Sequence, residues 1–285
     1  MKSTTIISAL LLLIGATLSA QGVELQPDRS ITYKSVYGIE LKMDIFEPEG
    51  LRSTDHRPAI VFFFGGGWSG GSTKQFYQQA RTMADQGMVA FSADYRVKSR
   101  NKTTPFECVK DGKSAIRWVR QHAAEFGIDP ERIVASGGSA GGHVAACTGV
   151  IEGQEEVGED TSISSVPNAM ILFNPVLDTT EKGYGAKNFK PEQQRDISPC
   201  HQVRKGIVPT ALFHGTADKT VPFENAERFT KLMQEAGNEC VLVPFEGRDH
   251  GFFNGSFFRK SNGDAEYEVT MPRSIEFLKA HSFLK

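Results

Sequence analysis

The sequence predicts an α/β fold with a mostly parallel central sheet and helices on both faces. Three observations carry this reading. Apolar runs of strand length recur along the chain, and helical patterns lie between several of them. The middle runs are continuously apolar rather than alternating, as strands covered on both faces must be. The chain has 285 residues, 39% of them hydrophobic, which suffices for one α/β domain with a sizeable core. No repeat or low-complexity linker divides it, so residues 21–285 read as a single domain.

Residues 1–20 stand apart. Lys2 gives a weakly positive start, Ile6 to Ile14 form a short apolar run, and Leu18-Ser19-Ala20 ends in a small residue before Gln21. That pattern predicts a signal peptide and a secreted or periplasmic protein. The apolar run falls short of the roughly 20 residues that span a bilayer; an uncleaved anchor is the alternative reading. Residues 31–36 and 41–46 then alternate like half-buried strands joined at Gly38. Residues 59–64 are continuously apolar, 89–95 and 132–136 are shorter runs of that kind, and 169–173, 210–214 and 241–245 repeat the theme. Helices are expected over 106–126, where Val109, Ala115, Ile116, Val119 and Ala123 fall near helical spacing, over 140–150, over 222–236 before Gly237, and over 272–281. In such sheets ligands lie beyond the carboxyl ends of the strands, so the loops there are where chemistry is sought.

A net charge of −2 without a clustered basic face argues against nucleic acid and against stable membrane association. Cys108, Cys147, Cys200 and Cys240 allow three full pairings, and sequence does not choose among them. None forms a C-x-x-C pair, so a metal site has little support; Cys147, in a small-residue apolar stretch, reads as a buried free thiol.

The pattern G-x-S-x-G occurs twice, around Ser69 and around Ser139. Context separates the two. A nucleophile elbow needs a strand running straight into the turn and a helix starting at once. Ile133-Val134-Ala135-Ser136 precedes Gly137, and a small-residue helix follows Ser139. Three glycines and a tryptophan separate Ser69 from its strand. Ser139 is therefore the candidate nucleophile. Acyl transfer also needs N–H donors for the developing oxyanion, each worth roughly 3 to 4 kcal/mol. Ala140 supplies one, and the loop Gly65-Gly66-Gly67-Trp68 is placed to supply another. The base should lie near the C-terminus, and His250 follows the strand over 241–245; His143 falls on the helix after Ser139, and His214 packs under the site. Asp218, in the loop after the strand over 210–214, is the candidate acid, with Asp178 as competitor; Asp249, adjacent to His250, should point elsewhere.

These residues together resemble the esterase/lipase branch of the α/β-hydrolase superfamily, in particular bacterial acetyl esterases and feruloyl-esterase-like carbohydrate esterases. The matching pieces are Phe64-Gly-Gly-Gly-Trp68, Ser136-Gly-Gly-Ser-Ala-Gly-Gly-His143, His214-Gly-Thr-Ala-Asp218 and Asp249-His-Gly-Phe-Phe253. The resemblance implies an α/β-hydrolase fold, a triad of Ser139, Asp218 and His250, and oxyanion donors at Gly66, Gly67 and Ala140. One departure is Phe64, where the family usually has a histidine that supports the loop. Only residues 151–167 and 178–208 are long enough for a small lid.

The expected reaction is two-step acyl transfer through an acyl-enzyme, with no metal or organic cofactor. The expected partner is a small-molecule or polysaccharide ester carrying a short acyl group, acetyl first. Trp68 and Phe252 are the expected substrate-binding aromatics; Phe253 fits loop packing equally well. Two other readings stay open: an exopeptidase of the prolyl-oligopeptidase type, and an inactive glycan-binding relative.

Overall fold

The computed structural model describes residues 25–285, so the expected signal peptide lies outside the described residues. Eight strands form one sheet: β1 Arg29–Val36, β2 Ile39–Phe46, β3 Arg57–Phe63, β4 Val89–Ala93, β5 Ile128–Gly138, β6 Ala169–Phe173, β7 Thr210–Gly215 and β8 Cys240–Phe245. Their order across the sheet is β1-β2-β4-β3-β5-β6-β7-β8. β2 is antiparallel to both β1 and β4, and every pairing from β4 through β8 is parallel. The helices are α1 Tyr77–Asp85, the single turn α2 Lys98–Asn101, α3 Pro105–Gln121, α4 Ala140–Val150, α5 Phe223–Glu235 and α6 Tyr267–Ala280. This is the α/β-hydrolase fold.

The continuous apolar runs have their physical reason in two cores. Along β3, Ala59, Val61 and Phe63 face one core, which they share with Val109 and Ile116 of α3, Val144 of α4 and Phe229 of α5. Ile60 and Phe62 face the other, with Ala80 and Met83 of α1 and Met271 and Leu278 of α6. Each such side chain contributes about 1.5 to 3 kcal/mol by leaving water.

Several boundaries differ from the sequence reading. α1 was not expected, because its stretch is mostly polar; Tyr77, Ala80, Met83 and Ala84 nonetheless form a buried stripe at helical spacing. α3 ends at Gln121, because residues 122–126 turn and bring Phe126 under β4, where its ring meets Phe91 at 6.0 Å. α6 begins at Tyr267, and Pro272 lies inside its second turn, where the missing N–H removes one helical bond.

The two candidate lid segments behave differently. Residues 151–167 are fastened onto β1, α3 and the loop after β4 by a buried ionic network. Lys34 and Arg96 both reach Asp111 and Glu156, at 2.5 to 2.9 Å, while Lys113 and Arg117 hold Glu155. Residues 178–208 instead bring Tyr184 to the cleft beside Ser139 and His250. Among the described residues no helix is long and apolar enough to cross a membrane.

Candidate active site

β5 runs into Ser139 and α4 starts at the next residue. Ser139 sits at φ 56° and ψ −122°, a strained conformation that lifts its side chain clear of both elements. The turn is tight enough to require glycine nearby: a Cβ on Gly141 would stand 2.1 Å from the Phe63 carbonyl oxygen. The Ser139 N–H donates to the Phe173 carbonyl at 3.0 Å, which ties the elbow to the end of β6.

His250 follows β8 and approaches from the side. Its Nε2 lies 2.9 Å from Ser139 Oγ, and its Nδ1 lies 2.7 Å from Asp218 Oδ2. The carboxylate accepts, so Nδ1 carries the hydrogen and Nε2 is left to accept the proton of Ser139. The Asp218 side chain is fully buried. Burial alone would raise its pKa, but hydrogen bonds from His214, His250 and the Val221 N–H outweigh that and hold the carboxyl well below the usual carboxylate range. The Thr220 and Val221 N–H groups donate to Oδ1 at 2.8 and 2.9 Å, and Asn174 Nδ2 donates to Oδ2 at 2.8 Å. Asn174 was missed in the sequence; only its place just after β6 marks it.

The structure separates the competitors from this chain of bonds. Asp178 accepts from Arg228 Nη2 at 2.8 Å and from Thr180, pinning the segment 178–208 to α5. Asp249 is exposed. Ser69 lies in a turn that lines a different hollow, with Lys98 and Pro105. His214 packs beneath Asp218, with its Nε2 3.0 Å from the Val221 carbonyl oxygen.

The glycine strap lies across from the elbow. The Gly65 N–H is taken by Gln75 Oε1 at 2.6 Å. Gly66, at φ 131°, turns so sharply that a Cβ there would stand 2.2 Å from the Gly70 carbonyl oxygen. Its own carbonyl accepts from the Ser69 and Gly70 N–H groups. Among the described residues the N–H groups of Gly66, Gly67 and Ala140 have no protein partner. Phe64 supports the strap by packing: its ring stacks on Tyr95 at 4.3 Å, and the Tyr95 hydroxyl donates to the Phe64 carbonyl at 2.6 Å.

Two expected substrate contacts are corrected. Trp68, at φ 57°, turns inward and is only 2% exposed. Its indole N–H donates to His143 Nδ1 at 3.2 Å, and His143 Nε2 in turn donates to the Ile197 carbonyl at 2.7 Å. Burial pushes the His143 imidazole down to about 4 despite the Ile197 bond, so it stays neutral. Phe252 is 4% exposed and lies against Phe245 at 4.5 Å. Its ring is nearly perpendicular to that of Phe253, which is itself only 1% exposed and packs against Gly138 beneath the cleft. The cleft itself holds about 370 Å³ over Ser139 and His250; Tyr184, Phe258 and Arg259, none visible in the sequence, complete its walls.

Among the described residues no group of three or more metal-ligating side chains converges. All four cysteines are buried and free.

The fold and the strand-end site define the class, an α/β-hydrolase. Two family models divide the chain: BD-FAE matches residues 43–181, and the dienelactone hydrolase family matches residues 169–282. Esterase 2 of the planctomycete Thermogutta terrifontis, in its apo form, is 49% identical; the match covers 90% of this chain and 96% of that one, with a TM-score of 0.84. Its propionate-bound form gives 48% identity, 92% and 97% coverage and a TM-score of 0.85. The acetylxylan esterase of Xylanibacter ruminicola is 28% identical over 87% of this chain and 51% of its own length. A probable isoprenylcysteine alpha-carbonyl methylesterase of Arabidopsis thaliana is 29% identical over 75% and 50%. The chain thus spans about half the length of these curated relatives. It belongs to the esterases of the α/β-hydrolase superfamily.

Proposed function

We propose that this chain is a serine carboxylesterase that removes short acyl groups, acetyl first, from a polysaccharide or a similar polar alcohol. The observation that carries the chemistry is the bonded chain from Ser139 Oγ through His250 to Asp218, set opposite unpartnered N–H groups. Ser139 Oγ attacks the ester carbonyl while His250 Nε2 takes its proton. Negative charge on the carbonyl oxygen meets the N–H groups of Gly66, Gly67 and Ala140. The alcohol leaves with the proton from His250, and a water, deprotonated by His250, then releases the acid from Ser139. Asp218 keeps the imidazole in the productive tautomer and stabilises its charged form.

Three facts support the short-acyl reading. A cleft of about 370 Å³ is small, and Tyr184 and Phe258 are its main aromatic walls. Esterase 2 of Thermogutta terrifontis has been solved with propionate and with butyrate. One curated relative is an acetylxylan esterase. The test is kcat/KM across p-nitrophenyl acetate, butyrate, octanoate and palmitate, with acetyl release from acetylated xylan and with aminoacyl anilides as controls. Each further buried CH₂ is worth about 0.8 kcal/mol to a lipase. A maximum at octanoate or beyond contradicts the proposal, and so does turnover confined to the anilides. We also propose that residues 1–20 direct export; mass spectrometry of secreted protein beginning at Met1 contradicts this.

A further inference from the structure

The cleft carries one feature that acyl transfer does not use. Among the described residues that line it, Arg259 is the only one with a permanent charge. Its Nη1 donates to the His250 carbonyl at 3.3 Å and rests over Gly251, where an added Cβ would stand 2.7 Å away. Among the described residues no carboxylate lies within ion-pair distance of it, whereas the neighbouring Arg248 is paired with Glu266. A guanidinium has five N–H donors, and this one spends a single bond on the protein. The others are open to a ligand in the cleft. Phe258, the adjacent residue, is 41% exposed and presents a bare ring beside the charge.

Position fixes which half of the ester this pair meets. The alcohol departs past the imidazole that protonates it, and Arg259 is bonded to the backbone of that same histidine. The glycine strap and Tyr184 form other parts of the cleft wall. We infer that Arg259 and Phe258 form an alcohol-side subsite for an anionic group, so that the preferred substrates are esters whose alcohol carries a carboxylate, such as an acylated sugar acid. The planar fork of arginine matches a carboxylate in bidentate fashion, and the phenyl ring offers a flat apolar face to the sugar ring that bears it. This rests on the esterase reading above and specifies its substrate.

The experiment compares the full-length wild type with Arg259→Gln and Arg259→Lys on 4-acetoxybenzoate and 4-acetoxybenzamide. These esters have the same acyl group and differ in the charge of the alcohol. The ratio of their kcat/KM values cancels any loss common to both, including any effect on His250. The wild-type ratio should exceed that of Arg259→Gln by roughly threefold, about one ion pair at an exposed site. Arg259→Lys should recover part of it, and 0.5 M NaCl should shrink it. The same preference should appear as faster acetyl release from acetylated polygalacturonate than from acetylated xylan, lost in Arg259→Gln. An unchanged ratio in Arg259→Gln overturns the inference. So does a change seen only when the acyl side carries the charge, with p-nitrophenyl hemisuccinate against p-nitrophenyl butyrate. Absence of turnover on p-nitrophenyl acetate by the wild type is a separate result: it removes the esterase reading itself, and the inference with it.

Discussion

Protonation of His143 should destabilise the fold in a defined pH window. His143 is fully buried between Trp68, which donates to its Nδ1, and the Ile197 carbonyl, which accepts from its Nε2. A second proton on this ring must displace the Trp68 bond and place a charge where no carboxylate is bonded to it. Its folded value is held near 4 against an ordinary value of 6.5. The unfolded chain therefore takes the proton first as pH falls. Stability from this group is complete above about 6.5, declines below it, and levels off near 4. Each pH unit inside that window is worth about 1.4 kcal/mol. The fall should be about 2 kcal/mol by pH 5, where most carboxylates are still ionised, and about 3 kcal/mol in full. The assay is guanidinium unfolding, followed by tryptophan fluorescence, at pH 7.5, 6 and 5, for wild type and His143→Gln. The variant should be less stable at pH 7.5 but lose less between pH 7.5 and 5, by about 2 kcal/mol. Equal slopes in the two proteins would refute the reasoning.

Other consequences concern the site. Asp218→Asn should lower kcat by about ten-thousandfold, because the amide favours the wrong imidazole tautomer, and should also lower thermal stability, because its new NH₂ group would face the donors that now meet the buried carboxylate. Asp178→Asn should lower thermal stability through the lost Arg228 pair with a much smaller change in kcat; interchanged effects on kcat would move the acid to Asp178. Gly141→Ala should cost roughly 3 kcal/mol or more in urea unfolding, since its new methyl would stand 2.1 Å from the Phe63 carbonyl oxygen. A stable, fully active variant would mean that the elbow can open.

The parts of the fold that could be read from the sequence are those whose burial is uniform. β3, β6 and β7 are covered on both faces, so their apolar runs are unbroken and their ends fall within a residue or two of expectation. α1 escaped notice because its buried stripe is made of Tyr77, Ala80, Met83 and Ala84 among glutamines and charges. The elbow was legible because strand, glycines and small-residue helix are contiguous in the chain. Asp218 was favoured from its loop after β7, but Asp178 stayed open, since both follow strands and only the three-dimensional packing shows which meets His250. Trp68 looked like a substrate contact because it flanks the predicted site. A positive φ turns it inward onto His143, and backbone sign is not written in an aromatic residue. Tyr184, Phe258 and Arg259 come from loops without periodicity, so nothing local pointed to them.

The most direct measurement of the central claim is covalent labelling of the nucleophile. A fluorophosphonate probe reacts with a serine only where a base activates it and an oxyanion site holds the adduct. The wild-type protein should lose p-nitrophenyl acetate hydrolysis in step with incorporation of one probe, and peptide mapping should place it on Ser139. Ser139→Ala, folded by circular dichroism, should take up none. Label on Ser69, or ester hydrolysis that persists in Ser139→Ala, would contradict the account.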